Sequence, residues 1–203
     1  MTVAADRASL LRTGRSLELF TVLWNSAEGL ISVGLGLAAG SIALVGFGID
    51  SFIETSSGLI LLWRLQARRD PEAEARSEAV ALRLVGVTLL ALAAYVTYDA
   101  LAMLVRREAP QESLPGIVLA AVSLIVMPLL ARRKRLVAAA LPSPALAADA
   151  TQTIICAYLS AILLAGLGLN ALPGWWWADP AAALAMAPLI AREGLEAVRG
   201  EHR

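Results

Sequence analysis

Gly46-Phe47-Gly48-Ile49-Asp50-Ser51-Phe52-Ile53-Glu54-Thr55-Ser56-Ser57-Gly58 is the polar centre of an otherwise apolar run from Ile42 to Leu65. A helix crosses the hydrocarbon core of a bilayer with about 20 apolar residues, and this run is long enough. Two carboxylates nevertheless stand in its middle. On a helix Asp50 and Glu54, four positions apart, share one face about one turn from each other. Like charges so placed in a low dielectric hold a proton or recruit a cation. An ionisable group at the bilayer centre costs about 3 kcal/mol or more on insertion scales, so this pair marks a functional site.

The rest of the chain supports a membrane reading. It has 203 residues, 58% of them hydrophobic, against about 45–50% in soluble domains, and the apolar residues fall in long blocks. Basic and acidic side chains balance at 17 each, which argues against a nucleic-acid partner. One cysteine, Cys156, excludes an intramolecular disulfide framework and a multi-cysteine metal site. Met1 to Arg15 is polar and bears arginines, unlike a cleavable signal peptide, and reads as a short cytosolic leader over residues 1–16.

Six apolar blocks follow: Leu17–Ala39, Ile42–Leu65, Ala79–Val105, Leu114–Ala131, Ala145–Asn170 and Trp175–Ala191. The expected fold is therefore an all-α membrane protein, six transmembrane helices over residues 17–191 with a short cytosolic tail over 192–203. Gly40-Ser41 leaves room only for a tight hairpin between the first two spans. With both termini cytoplasmic, 15 of the 17 basic residues lie inside, and only Arg106 and Arg107 lie outside. Trp175, Trp176 and Trp177 then fall at the outer interface, where indole rings serve as anchors.

At a rise of about 1.5 Å per residue, three spans bring polar side chains to one depth near the midplane. These are Asp50 and Glu54 in span two, Gln152 and Cys156 in span five, and Asn25 and Glu28 in span one. A buried site shared by the three helices satisfies all of them. Gly29, Gly34, Gly36, Gly46, Gly48 and Gly58 allow close helix approach. Gly46 and Gly48 have a second reading, as a place where the backbone opens for an ion or water.

Three stretches together resemble the transmembrane domain of the cation diffusion facilitator family of metal transporters. Ile49-Asp50-Ser51-Phe52-Ile53-Glu54 is similar to its second-helix motif of two acidic residues four apart. Ala148-Asp149-Ala150-Thr151-Gln152-Thr153-Ile154-Ile155-Cys156 is similar to its fifth-helix opening, where Ala-Asp precedes a His and, four residues on, an Asp. Gly174-Trp175-Trp176-Trp177-Ala178-Asp179-Pro180, with the Ala-rich span after it, resembles the sixth helix. The chain departs from the family at Gln152, in the place of the usual His, and at Cys156, in the place of the usual Asp. With only a short tail expected after span six, the family's cytoplasmic metal-binding domain is not expected here, and Arg132-Arg133-Lys134-Arg135 stands where many members carry a histidine-rich loop.

The resemblance implies efflux of a divalent cation, zinc first, against inward proton flow at a plasma-membrane site of Asp50, Glu54, Cys156 and Gln152, to which the shared depth adds Glu28 as a further metal candidate. No tightly bound cofactor is implied; the metal is cargo, and a homodimer in membrane lipid is the implied assembly. A thiolate favours zinc over magnesium or calcium, although a lone buried Cys156 also reads as a small hydrophobe. Glu28 reads as a ligand in place of the missing imidazole or as a proton carrier. Because metal ligands must be deprotonated, cation binding and proton release are coupled.

Two rival functions stand beside this one: a proton-coupled exporter of organic cations, and a non-transporting membrane subunit or metal sensor. No nucleophile and base are arranged together, so an enzyme is not expected. The remaining charges have plainer readings. Asp149 caps span five or governs ion access, Glu18 lies at the interface, and Asp99 near Tyr98 lines an exit path or faces water. Arg132 to Arg135 set topology and attract anionic lipid. The mixed-charge loop Arg68–Arg76 and the terminal His202, the single histidine, are solvated.

Overall fold

A computed structural model describes residues 3–66, 71–108, 110–141, 143–172 and 174–199. Six helices follow in order: α1 (Val3–Ala39), α2 (Ile42–Gln66), α3 (Pro71–Arg106), α4 (Leu114–Ala140), α5 (Pro144–Ala171) and α6 (Ala178–Arg199), with no strand among the described residues. The hairpin between α1 and α2 turns on Gly40, at φ +68°, a left-handed conformation that a side chain would strain. Ser41 then caps α2, its hydroxyl accepting from the Leu44 amide at 3.1 Å. Ser113 and Ser143 cap α4 and α5 in the same way, each followed by proline in the first turn, where a missing N–H costs nothing.

Several helices are longer than their apolar blocks. α1 runs unbroken through the polar leader, because no proline interrupts it. α3 starts at Pro71 rather than near Ala79, and α6 continues to Arg199. Most consequentially, α4 does not stop at Ala131 but extends to Ala140, so the Arg132–Arg135 run is helix and not loop. Charged residues signal the end of a span, not the end of a helix. The side chains of Arg68 to Arg76, and His202 altogether, lie outside the described residues.

α1, α2, α5 and α4 form a ring in which each packs on its neighbours. α3 and α6 pack on each other as a pair, with α3 against α2 and α6 against α2 and α5. Close backbone approach holds these contacts. A Cβ on Gly48 would lie 2.8 Å from Ser32 and Val33 of α1, so Gly48 is a packing glycine, and α2 is continuous through it.

The polarity of the ring is inverted relative to a soluble bundle. On α1 the inward stripe is Glu18, Thr21, Asn25, Glu28 and Ser32, all buried, while Leu19, Leu23, Leu30 and Leu37 face outward and are exposed. On α5 Asp149, Thr153, Cys156 and Ser160 form a second buried stripe. Apolar side chains belong outside only where the surroundings are lipid, and buried ionisable groups in such a bundle face its interior. Among the described residues five helices are long and apolar enough to cross a membrane. α6 falls short of that composition because Asp179, Arg192, Glu193, Glu196 and Arg199 lie along it.

Candidate cation site

The polar atoms inside the ring are arranged at three levels. At the outer end, Asp179 in the first turn of α6 is fully buried. It accepts from the Ser41 hydroxyl at 2.5 Å and from the Ala43 amide at 3.5 Å. One carboxylate thus serves the N-termini of α2 and α6, where unpaired amides and both helix dipoles favour negative charge. The neighbouring loop is tied in as Gln111 N–H donates to the Ala39 carbonyl at 2.7 Å and Asn170 Nδ2 to that of Pro110 at 3.3 Å. Above this level Trp175 and Trp177 stack, ring centroids 5.2 Å apart, and both remain exposed.

In the middle, α2 presents Asp50 and Glu54, 5% and 2% exposed. Asp50 makes no hydrogen bond and no ion pair to any described residue. Glu28 of α1 faces them, its Oε2 accepting from the Ser51 hydroxyl at 3.1 Å while its Oε1 has no partner. Both amide atoms of Asn25 are likewise buried without a partner, while Trp24 Nε1 and Ser123 Oγ lie beside Glu28, and Cys156 beside Glu54, outside good hydrogen-bond geometry. Such a concentration of poorly met donors and acceptors is rare in folded proteins, and of the three carboxylates Asp50 and Glu28 meet no ammonium among the described residues, which calls for a cation or protons.

The sequence-derived ligand set is only partly assembled. Cys156 is buried and its thiol adjoins Glu54. Gln152 is half-buried; Thr153, one position on, is the α5 residue that reaches Glu54, its hydroxyl lying 3.2 Å from Glu54 Oε1. Among the described residues no three of His, Cys, Asp and Glu converge closely enough to hold a metal ion. Asp50, Glu54, Cys156 and Glu28 surround one region, and a metal would need their side chains to close in.

Below this lies a group the sequence reading did not assemble. Lys134, the chain's single lysine, is fully buried on the inward stripe of α4 with Gly116, Ala120, Ser123, Met127 and Ala131. Its ammonium pairs with Asp149 of α5 and lies 3.4 Å from both carboxylate oxygens of Glu18 on α1. Thr153 Oγ1 accepts from it at 3.3 Å, and its one proton has two acceptors in reach, the Asp149 carbonyl at 3.0 Å and Glu54 Oε1 at 3.2 Å. Three earlier expectations change accordingly. Lys134 is not a surface charge like Arg132, Arg133 and Arg135, which stay exposed; Glu18 is not interfacial; and Asp149 is not the cap of α5, a role Ser143 holds. The signal was present as helical spacing: Lys134 is three positions after Ala131 and seven after Met127.

An all-helical bundle with outward-facing hydrophobics and partnerless carboxylates at its centre is a membrane-protein architecture in which buried ionisable groups mark a functional site. The family model for the cation efflux transmembrane domain matches residues 19–200. The chain therefore belongs to the cation efflux family, whose members transport metal cations across membranes. No curated protein matches it.

Proposed function

We propose that this protein exports a divalent cation of the zinc type from the cytoplasm in exchange for protons, through the level of Asp50 and Glu54. The observation that carries this is the set of buried oxygens of Glu28, Glu54 and Asn25 that accept no hydrogen bond, around an Asp50 that has no partner. Asp50, Glu54 and Cys156 supply three ligands in this reading, two carboxylates and a thiol, with Gln152 or Glu28 completing the usual four. Protons and cation compete for the same oxygens, so the site carries one or the other, which is the rule of an antiporter. Rocking of helices about such a midplane site alternates its access. The plasma membrane is the proposed location, and the family resemblance supports a homodimer.

The test is flux in proteoliposomes under an imposed pH gradient, comparing zinc, cobalt, manganese and iron. Zinc-driven proton movement that disappears in Asp50→Ala, and loses its preference for zinc in Cys156→Ser, supports the proposal. Absence of flux with every metal, from folded protein, refutes it and moves the weight to organic cations.

A further inference from the structure

Lys134 has no place in the scheme above, yet it is the one cation described inside the ring. Its ammonium draws on Glu18 of α1 and Asp149 of α5 directly and on Glu54 of α2 through the Thr153 hydroxyl. Together with its own α4, every helix of the ring meets at this point. Its position along the chain is also specific. Lys134 is six residues from the end of α4 and Asp149 five from the start of α5, both counted from the end that the basic residues place in the cytoplasm. Glu54 and Cys156 lie further toward the outer face along α2 and α5. An ion moving from the cytoplasm to Asp50 must pass the level of Lys134.

We propose that Glu18, Asp149 and Thr153 form a second cation station on the cytoplasmic side of the path, that Lys134 is its tethered occupant, and that the seated ammonium closes the path. Two carboxylates and a hydroxyl around one small ammonium are a cation-binding cage. Glu18 holds the ammonium loosely, both oxygens 3.4 Å away and Oε1 without a hydrogen bond, and Glu54 Oε2 beyond Thr153 accepts none, so the cage is not saturated by its lysine. An arriving cation takes over the carboxylates as the ammonium leaves, and the four helices part where the lysine had joined them. Lysine suits the role: its ammonium is a compact charge on a flexible stem, which withdraws from a cage more readily than a guanidinium fork. Lys134 is a positioning residue here, acting on Glu54 through Thr153. The idea rests on the transport reading for its meaning, though not for its test.

The lone cysteine provides the probe. Cys156 is 2% exposed and lies just past Thr153 on α5, on the far side of the cage from the cytoplasm. A membrane-impermeant, cationic methanethiosulfonate is applied to one face of vesicles of known orientation, and formation of the mixed disulfide at Cys156, with loss of sulfinate, is timed. In Lys134→Ala labelling from the cytoplasmic face accelerates about tenfold or more over wild type, as the closed population falls. Methylammonium, which fits the vacated cage, slows it again, and bulky tetramethylammonium does not. Unchanged labelling, equal acceleration from both faces, or indifference to methylammonium overturns the proposal. Should Lys134→Ala not fold, Thr153→Val decides instead, because it removes no charge. It cuts the link to Glu54 and speeds cytoplasmic labelling about threefold, a shift well under the ~1.4 kcal/mol of a tenfold change; no change there overturns the idea equally. No metal and no flux enter the measurement, so a protein that gates without transporting refutes the function proposed above and leaves this one standing.

Discussion

Glu18 and Asp149 share the ammonium of Lys134, whereas Asp50 and Glu28, further toward the outer face of the same ring, have no basic partner among the described residues. The two levels contain the same side-chain chemistry at the same degree of burial. They differ in whether the chain supplies the countercharge. A buried carboxylate with a tethered ammonium is compensated by its own fold, and changing either partner damages the fold. One without a partner is costly until something diffusible arrives, and its affinity for a cation or proton is what the fold holds in reserve. The outer level belongs with the first kind, since Asp179 is compensated by the Ser41 hydroxyl and the α2 amides. Two levels whose charge the fold itself compensates thus bracket one whose charge it does not.

The sharpest way to break this comparison is at Lys134. Lys134→Met leaves Glu18 and Asp149 buried without a cation, and thermal unfolding in detergent should show a loss of about 3–5 kcal/mol. Neutralising all three together, with Glu18→Gln and Asp149→Asn added, should recover most of it. Equal damage in single and triple variants would mean that packing, not charge, holds this level. Asp50→Asn makes the opposite expectation: cation flux falls more than about 100-fold, beyond the ~10–100-fold typical of losing an outer-shell partner of a metal. Its thermal midpoint stays level or rises, because an uncompensated buried charge is gone. A destabilised Asp50→Asn would erase the distinction drawn here.

Smaller effects sharpen it. A Cβ on Gly86 of α3 would fall 2.6 Å from the Gly194 carbonyl of α6. Gly86→Val should cost about 1–3 kcal/mol in the same melts by overpacking, with the cation preference of any residual flux unaltered, since that pair stands outside the ring. Ser41→Ala should cost about 1 kcal/mol through the lost cap of α2. Both Ser41 roles vanish together, so a cost no larger than for Ser113→Ala would show that the Asp179 contact contributes little.

Much of this arrangement could be read along the chain. Six helices, their order, the hairpin at Gly40 and the inward, buried placement of Asp50, Glu54, Glu28 and Cys156 all follow from apolar run length and helical spacing. Thr153 was less accessible: the resemblance points to Gln152, yet the rotation of α5 turns Thr153 to Glu54 and leaves Gln152 half-buried. One residue is about 100° on a helix, so a small rotation exchanges neighbours that the sequence cannot rank. Lys134 was hidden by its company. Within Arg132-Arg133-Lys134-Arg135 charge density reads as a cytoplasmic loop, and only extending α4's buried stripe past Ala131 separates the lysine from the arginines.

Composition and periodicity suffice to place this chain in a bilayer, to count its helices and to find carboxylates that water does not reach, because apolar run length and 3.6-residue spacing are local properties. Which of those carboxylates has a partner depends on contacts such as Lys134 with Glu18, 116 positions apart, and Asp179 with Ser41, 138 apart. Electrostatic energy inside a membrane depends on distances between helices, and those are set by how glycine-lined surfaces pack, not by any one helix. Chemically alike carboxylates are consequently paired with an ammonium at one level and left without one at the next.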